Sequence, residues 1–309
     1  MKVYHLSYPV QLNNLEPSCV AIGNFDGVHK GHQRVIQEAI RVARQNHLAS
    51  GVMTFHPHPK EVLGVIRESE YLTPLPDKLA LFEGIGVDLA LVVQFTLPFS
   101  QLSPEQFIQQ FIVNLNIKHV VTGFDFCFGQ KGRGNVDTLA KWSGERGDFT
   151  YHRVAQISLG EEKISSSRVR SLLSQGDVSG VCQLLGRPYR IKGKVVEGEQ
   201  RGRTIGFPTA NLSLLQPYAL PRQGVYAVYV HHQGRLFPGV INIGTKPTFH
   251  QTEKMVTLEV HLLDFNGNLY GETLSVDFIR FLRQERAFAS VKELCHQIEQ
   301  DVHLAKKIL

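Results

Sequence analysis

The sequence predicts an α/β protein in which an N-terminal doubly wound parallel sheet is followed by a C-terminal antiparallel β-barrel with a terminal helix. Three observations lead to this fold class. Short apolar runs alternate with segments of helical spacing in the first half, strand-like segments dominate from Tyr189 onward, and the last residues again have helical spacing. Alternating strands and helices indicate a parallel sheet covered on both faces, whereas consecutive short strands indicate a barrel.

The first half carries the signals of a doubly wound sheet. Apolar runs predict strands in SCVAIGNF, SGVMTF, DLALVVQF and IKHVVTGFDF. Between them, Gln33 to Asn46 has the apolar spacing of a helix, and DKLALFEGIG predicts a helix that ends at a glycine. Ser103 followed by Pro104 and then Gln106 is typical of a capping box that opens a further helix.

The pattern changes after about Lys163. SSSRVRSLLSQG and DVSGVCQLLG predict two short helices, and strands follow. We therefore place the domain boundary near Gly186, which gives an N-terminal domain of residues 1–186 and a C-terminal domain of residues 187–309.

The C-terminal domain contains two hairpin signals and one helix signal. GVYAVYVHHQGRLFPGVINIG predicts a hairpin about Gln233-Gly234, and TLEVHLLDFNGNLYGETLSVDFI predicts another about Asn266-Gly267. Ser290 with Glu293 three residues on predicts a capped final helix. These elements together favour a compact antiparallel barrel.

Composition limits the classes of partner. The net charge of +5 fits a protein with polyphosphate ligands and would also fit weak nucleic-acid binding, so by itself it decides nothing. Because no basic, aromatic-studded surface motif of RNA-binding modules is found, we expect no nucleic-acid partner. The four cysteines are widely spaced without a C-x-x-C pair, which favours reduced thiols. The N-terminal residues lack the apolar core of a signal peptide, and no apolar run reaches the length of a membrane span. We expect a cytoplasmic protein of unspecified oligomeric state.

The segment GNFDGVHKGH, residues 23 to 32, places two histidines directly after an apolar strand. The strand ends at Ile22 and the next helix begins near Gly31, so the segment lies where ligands bind in an open α/β sheet. A helix N-terminus offers free N–H groups, and residues three apart lie on one helix face. We therefore expect His29 and His32 to bind one anion, foremost a phosphate.

Two other interpretations of these histidines remain open on local spacing alone. A zinc site would need further ligands, for which His56 and His58 in HPHP are candidates. The prolines keep that segment extended, however, and no acidic partner stands at ligand spacing. The histidines could also be incidental surface residues at a helix start.

GNFDGVHKGH resembles the H-x-G-H signature of the nucleotidyltransferase superfamily, whose second motif is similar to ISSSRVR, residues 164 to 170. Ser167 replaces the usual threonine of that motif and keeps its hydroxyl. The resemblance implies that His29, His32 and Arg168 stabilise charge while the α-phosphorus of ATP is attacked. It implies nucleotide contacts from Gly23, Phe25, Asp26, Gly27, Gly31, Asp125, Ser165 and Ser166. From the residues alone, the three serines predict only a helix N-cap.

Between these motifs, TGFDFCFGQKGRGN ends a strand in a glycine-rich loop. Phe126 and Phe128 suit a site that holds a flat aromatic ring, and Asp125 suits one that holds a nucleotide. An ordinary flexible loop is the alternative interpretation.

GRTIGFPTANL is a second unusual segment. Thr209 and Asn211 are two residues apart, so in an extended chain they point to the same side. Both carry the hard oxygen ligands that Mg²⁺ prefers, and Gly206 leaves the backbone free to wrap phosphate. From spacing alone a polar turn after Pro208 is favoured over a metal site.

This segment resembles the G-F-P-T-A-N motif of the riboflavin kinase family, and the resemblance continues through GVYAVYV, NIGTKPTF, EVHLLDF, LYG and FLRQERAF. It implies that Thr209 and Asn211 hold Mg²⁺ and the ATP phosphates, with nucleotide contacts from Gly206 and Pro208. It also implies that Glu259 is the general base. From the residues alone, Glu259 would be a solvated side chain on the polar face of its strand.

The order of the two domains resembles the prokaryotic bifunctional riboflavin kinase/FAD synthetase family. The resemblance implies that ATP phosphorylates riboflavin to FMN in the C-terminal domain. A second ATP then adenylylates FMN to FAD in the N-terminal domain, with release of pyrophosphate. Flavin contacts are expected from Phe126, Phe128 and Arg283, and the cofactor is Mg²⁺. The rivals are another adenylyl- or cytidylyltransferase with a substrate-binding appendage, and a nucleotide-sensing or RNA-binding protein on the same folds.

Overall fold

The computed structural model describes residues 1–12, 15–64, 70–198, 202, 205–247 and 254–309. The chain forms two compact units, Met1–Ser166 and Ser167–Leu309. The two short helices that precede residue 186 therefore pack with the second unit. The boundary predicted at that residue, as the division between two activities, stays a prediction.

The first unit is built on a sheet of six parallel strands, which confirms the predicted doubly wound class. In sheet order these are β1 (Lys2–Leu6), β4 (Leu89–Gln94), β3 (Ala49–His56), β2 (Ser18–Ile22), β5 (Ile117–Gly123) and β8 (Thr150–Val154). Two short antiparallel pairs accompany it: β6 (Cys127–Phe128) with β7 (Gly134–Asn135), and β9 (Ser158–Leu159) with β10 (Glu162–Lys163).

Helices cover both faces of this sheet. They are α1 (Lys30–Gln45), α2 (Pro59–Val62), α3 (Leu75–Ile85), α4 (Leu97–Ser100), α5 (Pro104–Ile108) and α6 (Val136–Arg146). The capping box predicted at Ser103 is present, and α5 continues as a π-helical turn over Gln109–Val113. As predicted, α3 ends at a glycine, because Gly86 adopts the left-handed conformation with φ of 95°.

The chain order reverses at β2, and this reversal positions the first site. From β2 the chain adds β3 on one side, and it later adds β5 on the other side. Separate apolar clusters, one with Phe111 and one with Ile36, fill the two faces of the sheet. A crevice therefore opens beyond the carboxyl ends of β2 and β5, where ligands bind in open α/β sheets.

The second unit is a closed antiparallel barrel, again as predicted. In barrel order its strands are β11 (Tyr189–Val196), β12 (Ala210–Leu214), β15 (Lys254–Leu262), β14 (Arg235–Pro247), β13 (Gly224–His232) and β16 (Thr273–Arg283). Its helices are α7 (Ser166–Gln175), α8 (Val178–Leu185) and the final α9 (Val291–Ile308), which Ser290 caps.

One of the two hairpin predictions is confirmed and the other is wrong. β13 and β14 pair directly, and both turn residues, Gln233 and Gly234, have positive φ. β15 and β16, however, are not partners, because β15 pairs with β12 and β14 while β16 pairs with β11 and β13. The dipeptide Asn266-Gly267 lies within a longer connection, and closure of the barrel places β16 against β11 instead.

Candidate active sites

The loop between β2 and α1 carries the two histidines at the carboxyl edge of the sheet. His29 is the N-cap of α1, and its Nδ1 accepts a hydrogen bond from the backbone N–H of His32 at 3.2 Å. Three loop residues have positive φ, Phe25 at 52°, Gly27 at 88° and Val28 at 42°. Glycine adopts positive φ freely, but for Phe25 and Val28 such conformations are sparsely populated and persist where surrounding contacts hold them.

The imidazole of His29 is 5% exposed, and burial lowers its pKa from 6.5 to about 4. The ring is therefore neutral at physiological pH and carries a single N–H. Because Nδ1 accepts the bond from the backbone of His32, that proton is assigned to Nε2. His29 can thus donate one hydrogen bond to an anion without being charged itself.

The ring of His32 stacks on that of His29, with centroids 3.5 Å apart, as the spacing of three residues predicts. The buried ring of Phe25 meets His32 edge-on at 5.3 Å. A Cβ atom on Gly31 would lie 3.1 Å from the His29 ring, so a larger residue there would displace the imidazole. Phe25 and Gly31 therefore shape the histidine pair.

A cavity of about 620 Å³ opens beyond the ends of β2 and β5. Six residues predicted for the site are among those that line it: Gly23, Phe25, His32, Asp125, Phe126 and Phe128. The rings of Phe126 and Phe128 stack at 5.6 Å with an interplanar angle of 16°. A cavity of this volume with an aromatic wall fits a flat heteroaromatic ligand.

The carboxylate of Asp125, at the mouth of this cavity, already has a cationic partner. Lys163 on β10 donates to Asp125 Oδ2 at 2.6 Å, and its Nζ also lies 4.5 Å from the centroid of Phe124. A nucleotide that contacts Asp125 would therefore also meet the charge of Lys163.

The beginning of ISSSRVR contacts the histidine loop within the first unit. The hydroxyl of Ser166 donates to the carbonyl oxygen of Asp26 at 2.8 Å. The buried Asp26 carboxylate in turn accepts the backbone N–H of Thr73 at 3.2 Å, so these contacts hold the loop. Ser165 immediately precedes this contact, whereas Arg168 belongs to the second compact unit and its role beside the histidines stays a prediction.

Of the two candidate zinc ligands, His56 and His58, the second has a structural task of its own. His58 caps α2, and its Nδ1 accepts the backbone N–H of Lys60 at 3.2 Å. Within the described ranges, no three His, Cys, Asp or Glu side chains are grouped so that they could hold a metal ion. The four cysteines are free thiols.

In the second unit, strand register places five residues in one row around the barrel. Asn211 on β12 pairs with Glu259 on β15, which pairs with Asn242 on β14. Asn242 in turn pairs with Val225 on β13, which pairs with Arg283 on β16. Residues in register on neighbouring strands face the same side of the sheet, and all five line one cavity of about 360 Å³.

The predicted phosphate segment borders the same cavity. Thr209 lines it two residues before Asn211, as the extended spacing predicts. The ring of His261, which follows Glu259 on the same face of β15, donates from Nδ1 to the carbonyl of Pro208 at 2.8 Å. Gly206 stands before this point with φ of 89°. The segment is thereby fixed to the strand that carries Glu259.

Arg283 lines the cavity, but its charge is already paired. Its Nε donates to both carboxylate oxygens of Asp301 at 3.0 Å, and Nη2 donates to Oδ2 at 2.8 Å. The guanidinium also lies 5.7 Å from the ring centroid of Phe288. Arg283 therefore joins β16 to α9, and its contact with flavin stays a prediction.

Sequence reasoning did not single out Asn242. Its Oδ1 is buried and has no hydrogen-bond partner among the described residues, while Nδ2 donates to Glu285 at 3.3 Å. The sequence did contain one indication of it, because Asn242 begins NIGTKPTF, a stretch that resembles the riboflavin kinase family.

Four residues of GRTIGFPTANL and NIGTKPTF lie outside the described residues: Arg203, Thr204, Thr248 and Phe249.

Comparisons with known proteins match each half of the chain to a family. A FAD synthetase family model matches residues 11–168, and a riboflavin kinase family model matches residues 185–309. The bifunctional riboflavin kinase/FMN adenylyltransferase of Bacillus subtilis is 44% identical over 97% of this chain and 96% of its own. The chain belongs to this family of bifunctional transferases. The Escherichia coli relative of the same name is 39% identical over 94% of this chain and 93% of its own.

One solved structure has the same fold but a different name. A protein from Streptococcus pneumoniae described as a macrolide-efflux protein is 31% identical, with a TM-score of 0.90 over 99% of each chain. Across the described parts of the present bifunctional transferase, every helix is too short or too polar to cross a membrane. Both family models together, and the transferase relatives, match this chain over nearly its whole length, and the description as an efflux protein applies only to the Streptococcus protein.

Proposed function

We propose that the second unit transfers the γ-phosphate of ATP to the ribityl 5′-hydroxyl of riboflavin, giving FMN and ADP. The row from Asn211 through Glu259 to Asn242 carries this proposal, because it joins a carboxylate to oxygen ligands in one cavity. Glu259 takes the proton of the attacking hydroxyl. Typical general bases contribute about 10²–10⁴-fold to the rate.

The donor set of this cavity fits Mg²⁺. Thr209 supplies a hydroxyl, Asn211 an amide oxygen and Glu259 a carboxylate, all hard oxygen ligands. The buried Oδ1 of Asn242 adds an acceptor in the same row. Thr209 and Asn211 would hold the ion, which when bound neutralises charge on the phosphate oxygens. The glycine at position 206 and the carbonyl fixed at Pro208 keep the surrounding backbone in place.

We further propose that the first unit joins FMN to AMP from a second ATP, giving FAD and pyrophosphate. The FMN phosphate attacks the α-phosphorus, and the bond to the pyrophosphate group breaks. His29 donates from Nε2 and His32 from the stacked ring beside it, next to the N-terminus of α1. Phe126 and Phe128 stack near the isoalloxazine ring. Because both reactions consume ATP, we propose a cytoplasmic location.

The test is incubation of the protein with riboflavin, ATP and Mg²⁺, followed by chromatography. FMN should form first and FAD second. A parallel reaction with FMN and ATP tests the second step alone, and replacing ATP by CTP tests the cytidylyltransferase alternative. Absence of both FMN and FAD from the first reaction would refute the kinase assignment, and absence of FAD from the second would refute the adenylyltransferase assignment.

A further inference from the structure

Lys78 is a buried lysine directly behind the loop that carries the two histidines. Its side chain in the first turn of α3 is almost fully buried, and Nζ donates to the carbonyl oxygen of Asn24 at 2.8 Å. The buried hydroxyl of Thr54 on β3 donates to the same carbonyl at 3.0 Å and lies 3.5 Å from Nζ. Two buried donors therefore converge on one backbone oxygen of the GNFDGVHKGH segment.

The position of this lysine is unfavourable for the stability of the fold. A helix N-terminus carries partial positive charge and disfavours a cation in its first turn. Burial also disfavours the ammonium form, and it lowers the pKa of Lys78 from 10.5 to about 8. A long apolar side chain would fill this space without either penalty. Groups that oppose stability in this way are concentrated at functional sites.

The loop that Lys78 holds is the one with the sparsely populated backbone. Residue 24 immediately precedes Phe25, the first of the three residues with positive φ. The other side of the loop is fixed through Asp26, which accepts the backbone N–H of Thr73. Both holding contacts come from the N-terminal end of α3 and the residues just before it. These two contacts, from Lys78 and from the backbone of Thr73, therefore support the loop conformation that presents His29.

We propose that Lys78 is a positioning residue for adenylyl transfer, which with Thr54 fixes the Asn24 carbonyl and thereby the loop that presents His29 and His32. This inference rests on the proposed adenylyltransferase function of the first unit. The charged and titratable groups that interact with Lys78 are the Asp26 carboxylate, which favours its ammonium form, and His56 at the end of β3. Lys78 does not itself line the cavity of the first unit, so loss of the ammonium acts through the loop, whose Asn24 does line it.

The test uses the full-length protein with Lys78→Met, which keeps the length of the side chain but removes its charge and donors. We expect kcat/KM for FAD formation from FMN to fall by about 10- to 100-fold, the effect of a small misplacement of reacting groups. Riboflavin phosphorylation and the Tm at pH 7 should not fall. Lys118→Met, at an exposed position on β5, is the matched control and should leave all three quantities unchanged.

A pH profile separates positioning from a general role in the core. In the unmutated protein, kcat/KM for FAD formation should decline as the pH rises through about 8, where Lys78 loses its proton. Lys78→Met should lack this decline, and Thr54→Val, which removes a polar partner, should shift it to lower pH. The Thr54→Val profile keeps the test informative if Lys78→Met does not fold.

Three outcomes would overturn the proposal. The first is that Lys78→Met forms FAD with unchanged kinetics. The second is that Lys78→Met loses FAD formation only in proportion to a lower Tm and still shows the decline at alkaline pH. The third is that Thr54→Val leaves the pH of that decline unchanged. Failure of the underlying function is distinguishable, because then the unmutated protein would make no FAD.

Discussion

Replacing His29 by alanine and by asparagine separates two tasks of one ring. Nδ1 caps α1 by accepting the backbone N–H of His32. Nε2 is the atom that we propose donates to phosphate. Alanine removes both contacts. Asparagine is among the preferred N-cap residues and restores the acceptor, but its shorter amide does not extend to the position of Nε2. The pair of variants therefore isolates the contribution of the donor.

The cap and the donor should have separate and measurable effects, the first on the Tm and the second on the rate of FAD formation. Loss of an N-cap costs about 1 kcal/mol, and for a unit of this size 1 kcal/mol corresponds to about 2–4 °C in Tm. Because the His29 ring is 5% exposed, its removal adds a cavity cost, so His29→Ala should lower the Tm by at least that amount. Removal of the donor should lower the rate of FAD formation by about 10²–10³-fold.

The assay combines calorimetry with chromatography of FAD formed from FMN and ATP. His29→Asn should recover the cap contribution to the Tm while FAD formation stays low. Riboflavin phosphorylation should be unchanged in both variants and serves as the control for overall integrity. If His29→Asn makes FAD at the unmutated rate, the ring acts only as a helix cap and the assignment of Nε2 is refuted.

Three further predictions concern the base, the metal and the pH. Glu259→Gln keeps the size of the side chain but not its basicity, so riboflavin phosphorylation should fall by about 10²–10⁴-fold. FAD should still form normally from supplied FMN. If the variant phosphorylates riboflavin normally, Glu259 is only a solvated side chain on the face of its strand. Chelator-treated protein should regain both activities with Mg²⁺ alone; one tightly bound zinc per chain by elemental analysis would contradict this. The unfolded protein binds more protons than the folded protein between the ordinary His29 pKa of 6.5 and its lowered value of about 4, so stability should be lost as the pH falls through that interval. Calorimetry should show a smaller loss in His29→Asn, and an equal loss would exclude His29 as its source.

The sequence predicts most of the fold because periodicity reports burial directly. The central strands β2, β3 and β4 are buried on both faces along nearly their whole length and are therefore mostly apolar. The outer strands β1 and β8 are partly exposed, so their composition carries a weaker signal, and the sequence analysis did not single them out. The wrong hairpin at Asn266-Gly267 has a related cause. A turn signal is local, whereas the partner of β16 is decided by closure of the barrel.

The residues of the two sites also differ in how well the sequence predicts them. Thr209 and Asn211 could be paired from sequence because two residues in an extended segment share a side. Asn242 could not, since its place beside Glu259 depends on the register of β14 against β15. The burial of Lys78 is not indicated by the sequence at all. A single lysine in DKLALFEGIG reads as a solvated helix residue, and only the packed structure shows that it is buried.

The arrangement into two compact units determines how each variant must be controlled. Each unit has its own cavity, so a variant at His29 or Glu259 should abolish one reaction and spare the other. The spared reaction shows that the protein is present and that the other unit is folded, but it does not report on the unit that carries the change. Only a substitution that leaves the local structure intact can do that. Asparagine for His29 keeps the acceptor that caps α1, and glutamine for Glu259 keeps the size of the side chain, while each removes the chemical group. A loss of activity that accompanies retained stability in such a variant therefore locates the chemistry in that side chain.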